Sequence, residues 1–191
     1  MPRIPTREEA WEWLCNYNES DSLRRHGLAV EGVMRHFARL AGEDEEFWGV
    51  VGLLHDLDYE RYPQEHCTKV REILQEKEVD PSVIRAVASH GYGSCSELEP
   101  LTRCEKTLYT IDELTGLINA AALMRPGRSV MDMEVKSLKK KFKDKKFAAG
   151  VDRSVIEKGC EMLGMELDRV MAESIQGMRE VAPALGLDGS C

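Results

Sequence analysis

His55 and Asp56 stand side by side in the segment LLHDLDYE, directly after the apolar run Val50, Val51, Gly52, Leu53 and Leu54. An imidazole and a carboxylate carried into an apolar interior are costly unless partners satisfy them, and a metal ion satisfies both at once. Four more side chains of ligand type surround the pair: His26, His66, His90 and Asp112. Four of the chain's five histidines are thereby used. A mixed imidazole and carboxylate set favours a divalent transition metal (iron, manganese, cobalt, nickel or zinc) over calcium, with magnesium possible, and six ligands suffice for one or two cations. A cation held this way acidifies water near neutral pH and stabilises negative charge on a phosphoryl group. Any one of these histidines alone reads better as a hydrogen-bonded core residue; the set points to metal.

The elements that must position these residues are helical. No stretch alternates apolar and polar residues long enough to make a strand, so the expected fold is all-α. Thr6 with Glu9 forms a capping box before a helix carrying Trp11, Trp13 and Leu14. Ser20 to Ser22 cap a second helix that Gly42 ends, and His26 shares its apolar stripe with Val30, Val33 and Phe37. His36 lies about 80° from that stripe and is expected to face solvent. A third helix, about Asp44 to Leu57, ends with His55 and Asp56. Neighbours in sequence point about 100° apart on a helix, so both serve one site only near a helix end or in a narrow cleft. Asp58 to Gln64 reads as a loop over that cleft. His66 opens a helix through Ile73 and Leu74, and Asp80-Pro81 starts another that His90 closes. Asp112 falls in the middle of a long helix, about Leu101 to Met124, broken by Pro126-Gly127. A lysine-rich helix and loop (136–146), a short helix near Arg153 to Leu163 and a terminal amphipathic helix from about Leu167 to Ala182 follow.

The ordered set His26, His55-Asp56, His66, His90, Asp112 resembles the HD superfamily of metal-dependent phosphohydrolases over about Asp21 to Asp112. The segments DELTGLINAAALMRP and KSLKKKFKDKKFAAGVDR are similar to a subgroup of small stand-alone HD hydrolases, which extends the resemblance over most of the chain. It implies one HD-type helical bundle over 1–191, with its core at about 20–125 and a small C-terminal helical appendage at about 130–191. It also implies that His26, His55, Asp56 and Asp112 hold one metal, that His66 and His90 hold a second, and that Asp56 bridges the two. Cations about 3.5–4 Å apart would acidify a shared water to a hydroxide that attacks a small phosphate ester or nucleotide, with Asp56 and His55 nearest the chemistry. The ten-residue interval from Asp56 to His66 departs from HD proteins that place a longer insert there. HD proteins resembling inositol and phosphonate oxygenases use the same ligand types to hold mixed-valent iron for oxygen activation, so a di-iron oxygenase is the alternative. A non-catalytic nucleotide- or metal-binding module is a third reading.

Bulk properties narrow the partners. With 191 residues and 42% hydrophobic content the chain can bury a real core, and a net charge of -8 argues against coating nucleic acid or an anionic membrane. The apolar runs are too short to span a bilayer and the N-terminal segment lacks a signal-peptide h-region, so a cytoplasmic location is expected. Six cysteines are scattered without a C-x-x-C pair and read as reduced thiols; Cys67, beside His66, is not expected to be a ligand. Lys140 and Lys143, in the lysine-rich segment, and Arg125 and Arg128 are the candidates to grip a small anionic substrate, against the plainer account of a solvated helix face. Oligomeric state is left open.

Overall fold

The computed structural model describes residues 1–190 as a bundle of α-helices, and among these residues the only β pairings are three isolated bridges. Helix α1 (Arg7–Tyr17) opens on the Thr6–Glu9 capping box, in which each residue's side chain satisfies the other's backbone N–H. The central helix α2 (Asp21–Ala41) starts where Ser20 Oγ accepts from Leu23 N–H, and stops where Gly42 takes the left-handed conformation with φ 69°. Asp44 caps α3 (Glu45–Leu54) by accepting from two backbone N–H groups. A single 3-10 turn (Pro63–Glu65) leads to α4 (Thr68–Glu76), and Asp80 with Pro81 starts α5 (Pro81–Ser89). A second capping box, Thr102 with Glu105, opens the long α6 (Arg103–Leu123).

The C-terminal third consists of α7 (Val135–Lys143), α8 (Arg153–Leu163), α9 (Leu167–Glu180) and the short α10 (Ala182–Leu185). These helices close the bundle: α8 lies along α6 and α9 along α2, and one hydrophobic core runs from Ala10 to Leu187. Side chains such as Leu53, Leu54, Leu108, Ile111 and Leu114 are fully buried there, each worth roughly 1.5–3 kcal/mol relative to exposure. No helix among the described residues is long and apolar enough to cross a membrane.

His36 is where the sequence expectation fails. It does not face solvent: it is buried between α2 and α9, with Nδ1 2.9 Å from Glu180 Oε1 and Nε2 2.8 Å from Glu173 Oε2. The cause is close helix packing. A Cβ at Gly177 would lie 2.7 Å from Val33 Cα, so α9 approaches that face of α2 backbone to backbone and covers it. The face of α2 that meets α9 carries Gly32 and Val33, and His36 beside them is held there by its pairs with Glu173 and Glu180.

Candidate metal centre

The ligand-type residues come from five places in the bundle. His26 projects from the first half of α2 and Asp112 from the middle of α6. Helix α3 runs out at Leu54, so His55 is its C-cap residue and Asp56 lies in the turn beyond. This helix end lets two consecutive residues aim at one point. The turn is held by buried Asn18, whose Nδ2 donates to the Leu57 carbonyl at 3.1 Å. His66 sits between the 3-10 turn and α4, and His90 caps the C-terminus of α5. A tight turn with Tyr62 N–H donating to the Asp58 carbonyl spans the short interval from Asp56 to His66.

The six groups meet as two clusters joined by one carboxylate. In the first, His26 Nε2 lies 2.9 Å from Asp112 Oδ1 and 3.1 Å from His55 Nε2, and His55 Nε2 lies 3.3 Å from Asp112 Oδ1. Asp56 Oδ2 faces this cluster, 3.3 Å from His55 Nε2 and 3.7 Å from His26 Nε2. In the second, His66 Nε2 and His90 Nε2 are 3.2 Å apart, and Asp56 Oδ1 lies 3.4 and 3.5 Å from them. Ligands bound at about 2.1 Å to one metal are separated by about 3.0 Å in octahedral and 3.4 Å in tetrahedral arrangement. Both clusters therefore have the spacing of groups that could hold a metal ion, and the two oxygens of Asp56 face one cluster each.

Outer partners fix which nitrogen points inward. His55 Nδ1 is 2.7 Å from the Gly52 carbonyl, and His90 Nδ1 is 2.6 Å from the Val87 carbonyl. A carbonyl only accepts, so both Nδ1 atoms carry hydrogen and the neutral rings present Nε2 lone pairs to the cluster. Fully buried Asp58 does the same for His66: Oδ1 lies 2.7 Å from His66 Nδ1, while Oδ2 accepts from Val70 N–H at 2.8 Å. Two imidazole Nε2 atoms facing each other at 3.1–3.2 Å need a proton or a metal cation between them.

The electrostatics carry the same message. Burial alone would push His55 down, but the Asp56 and Asp112 carboxylates outweigh it and hold the imidazole well above its ordinary value. His66 is likewise raised against its burial, by Asp58 and Asp56. Burial would raise Asp56 and Asp112, yet His55 leads the neighbours that hold both well below the usual carboxylate range. Without a metal, imidazoles that hold their protons face carboxylates that have lost theirs.

The clusters floor a cleft of about 480 Å³ whose walls include Tyr59, Tyr92 and Tyr109, with Glu113, Asp152 and Val155 also lining it. Tyr59 sets its ring at right angles to His66, centroids 5.1 Å apart. Among the described residues neither lysine nor arginine lines the cleft, though Lys158 Nζ lies 4.7 Å from the centre of the Tyr92 ring in its wall. Arg125, Arg128, Lys140 and Lys143 are therefore not brought to it. Arg125 lies just past the end of α6, thirteen residues and roughly 20 Å of helix rise from Asp112, and pairs with Asp132 at 2.6 Å. Lys140 and Lys143 are on the exposed side of α7, whose other side buries Leu138 and Phe142.

Residues that the sequence reading did not single out complete the site. Asp58 was visible only as a second carboxylate two residues after Asp56, within the same apolar neighbourhood. Tyr59 belongs to the Asp58–Gln64 loop expected over the cleft and does line it, whereas Tyr92, Tyr109, Glu113 and Asp152 carried no signal: Tyr92 comes from the turn after α5, and packing of α8 on α6 brings Asp152 to Tyr109 and Glu113. Cys67 Sγ falls within 4.8 Å of ligand atoms of His66 and His90. Cys95 lines the cleft, and its contact with Cys67 brings its thiol down to about 6 against the effect of burial.

No curated protein and no solved structure matches the chain. The family model of the HD domain does, over residues 23–117, a span that contains all six converging groups from His26 to Asp112. The sequence order, the helical architecture and the matched span agree: this chain belongs to the HD domain family.

Proposed function

We propose that this protein is a two-cation phosphohydrolase that cleaves a small phosphate ester, with a nucleotide within the size of its cleft. The observation that carries the reading is the division of the Asp56 carboxylate, with Oδ2 turned to His26 and His55 and Oδ1 to His66 and His90. His26, His55 and Asp112 would hold one divalent ion, His66 and His90 the other, and Asp56 both. When bound, such a pair lowers the pKa of water and neutralises the charge that develops on a phosphoryl group.

The chain's own residues do the rest. The Gly52 and Val87 carbonyls and the Asp58 carboxylate keep three imidazoles from turning, so no reorganisation is needed when substrate arrives. Tyr59, Tyr92 and Tyr109 give the cleft aromatic walls that limit water around a bound ester. Glu113 and Asp152 add negative charge beside Asp112, so an anionic ester gains most of its attraction from the cations, with Lys158 over the Tyr92 ring the basic side chain beside the wall. Ester binding should therefore depend on metal.

The test is anaerobic purification with metal analysis, then a phosphatase panel and an oxygen-consumption assay on the same sample. The reading expects inorganic phosphate release from at least one ester, abolished by chelation, with no oxygen uptake. Oxygen uptake by an iron-loaded sample without phosphate release would identify an oxygenase instead. Tight nucleotide binding without turnover would identify a binding module.

A further inference from the structure

Gly91 follows His90 and, unlike Gly93, does not have a positive φ, so its backbone does not explain why it lacks a side chain. Its surroundings do. A Cβ at Gly91 would lie 2.2 Å from Cys95 Sγ and 2.5 Å from Cys67 Sγ, so the two sulfurs occupy the place a side chain would take. They are no farther apart than those two distances laid end to end. The pair is held from both sides. The N–H groups of Ser94, Cys95 and Ser96 all donate to the Gly91 carbonyl, at 2.9–3.1 Å, and fold the turn so that Cys95 returns over Gly91. Cys67 is fixed in the left-handed region, φ 68°, where a non-glycine residue is strained, between His66 and the start of α4. Cys67 is buried while Cys95 is partly open and lines the cleft, so reagents reach the pair through Cys95.

We propose that Cys67 and Cys95 are a reversible oxidation site, a dithiol that peroxide converts to a disulfide. The Cys95 sulfur attacks one oxygen of hydrogen peroxide; the O–O bond breaks, and the departing hydroxide leaves as water with the thiol proton, giving Cys95 sulfenic acid. The Cys67 sulfur then attacks the Cys95 sulfur; the S–O bond breaks, a second water leaves with the Cys67 proton, and the S–S bond forms. Two thiols lose two electrons and two protons, and peroxide becomes two waters. The link joins the residue after His66 to the turn after His90, on the side of the site that holds those two histidines. None of this depends on whether the site hydrolyses phosphate esters.

The test uses the full chain, reduced, chelator-treated and folded by circular dichroism, exposed to stoichiometric hydrogen peroxide, alkylated and mapped by mass spectrometry. The expected result is loss of two of the six thiols, a peptide pair linked through Cys67 and Cys95, and full recovery of both thiols with dithiothreitol. C67S should instead leave a Cys95 sulfenic acid that dimedone traps, and C95S should form no link. In guanidinium the preference for this pair should vanish, because it comes from the fold. Both thiols remaining alkylatable, or passing separately to sulfinic acids with no linked peptide, overturns the proposal, as does a Cys67–Cys95 link that forms equally well in the unfolded chain.

Discussion

Asp56 Oδ1 stands 3.4 Å from His66 Nε2, while the other oxygen of the same carboxylate faces His55 and His26. This relationship turns two histidine clusters into one centre. A carboxylate committed to one cluster would leave His66 and His90 with a single acidic neighbour, Asp58, which lies on the far side of the His66 ring.

Asp58→Asn tests the outer support. The amide keeps the shape but removes the charge that orients His66, and the expected loss is about 10–100-fold in affinity for the second cation. The first cation should bind as before. Calorimetric titration with manganese or cobalt resolves the two; equal weakening of both would show that Asp58 acts on the fold and not on His66.

Asp112→Asn removes a charged ligand from the first cluster in the middle of a long buried helix. The protein is expected to stay folded by circular dichroism and to lose the first cation. Unfolding of the variant would assign Asp112 a mainly structural role.

His36→Ala separates the helix docking from the site. Glu173 and Glu180 lose their shared partner across the α2–α9 contact, and stability should fall by about 1–3 kcal/mol. Metal stoichiometry should not change. Urea denaturation and metal analysis of one sample check both statements.

The pH dependence has a defined sign. In metal-free protein His55 and His66 are raised above their ordinary 6.5, so their contribution to stability is complete below about pH 6.5 and is lost as pH rises through the folded-state values. Asp56 and Asp112 are lowered from 3.8, so their contribution is present above that pH and is lost as pH falls below it. Metal competes with these protons, so stabilisation by a saturating divalent cation should grow as pH rises above 6.5. Melting curves with chelator and with cobalt test this; a chelated protein whose Tm is flat or climbs above that pH contradicts it.

Much of this was legible because the signals were local. Ser20 and Gly42 bound α2, Asp80-Pro81 starts α5, and residues 153–163 form α8 as the periodicity indicates. The end of α3 falls at Leu54, earlier than the hydrophobic pattern suggests, because His55 and Asp56 turn away to the centre. His36 was misjudged because periodicity reveals an apolar face, whereas a face buried by an ion-paired histidine looks like a solvent face. Tyr59 was legible as part of the loop over the cleft, but Tyr92, Tyr109 and Asp152 were not, because separate elements of the bundle bring them there. Lysine density at 136–146 marked the exposed side of α7 and said nothing of where that side points.

The central claim is that Asp56 serves two cations at once, and metal stoichiometry of the folded Asp56→Ala variant tests it most directly. Measured beside wild type and H66A by anaerobic titration with cobalt or manganese, wild type should take two equivalents per chain. H66A should take about one. Asp56→Ala should lose most binding of both, by a far larger factor than either histidine variant loses for its own cation. Asp56→Ala that still binds two equivalents with near wild-type affinity would contradict the bridged centre.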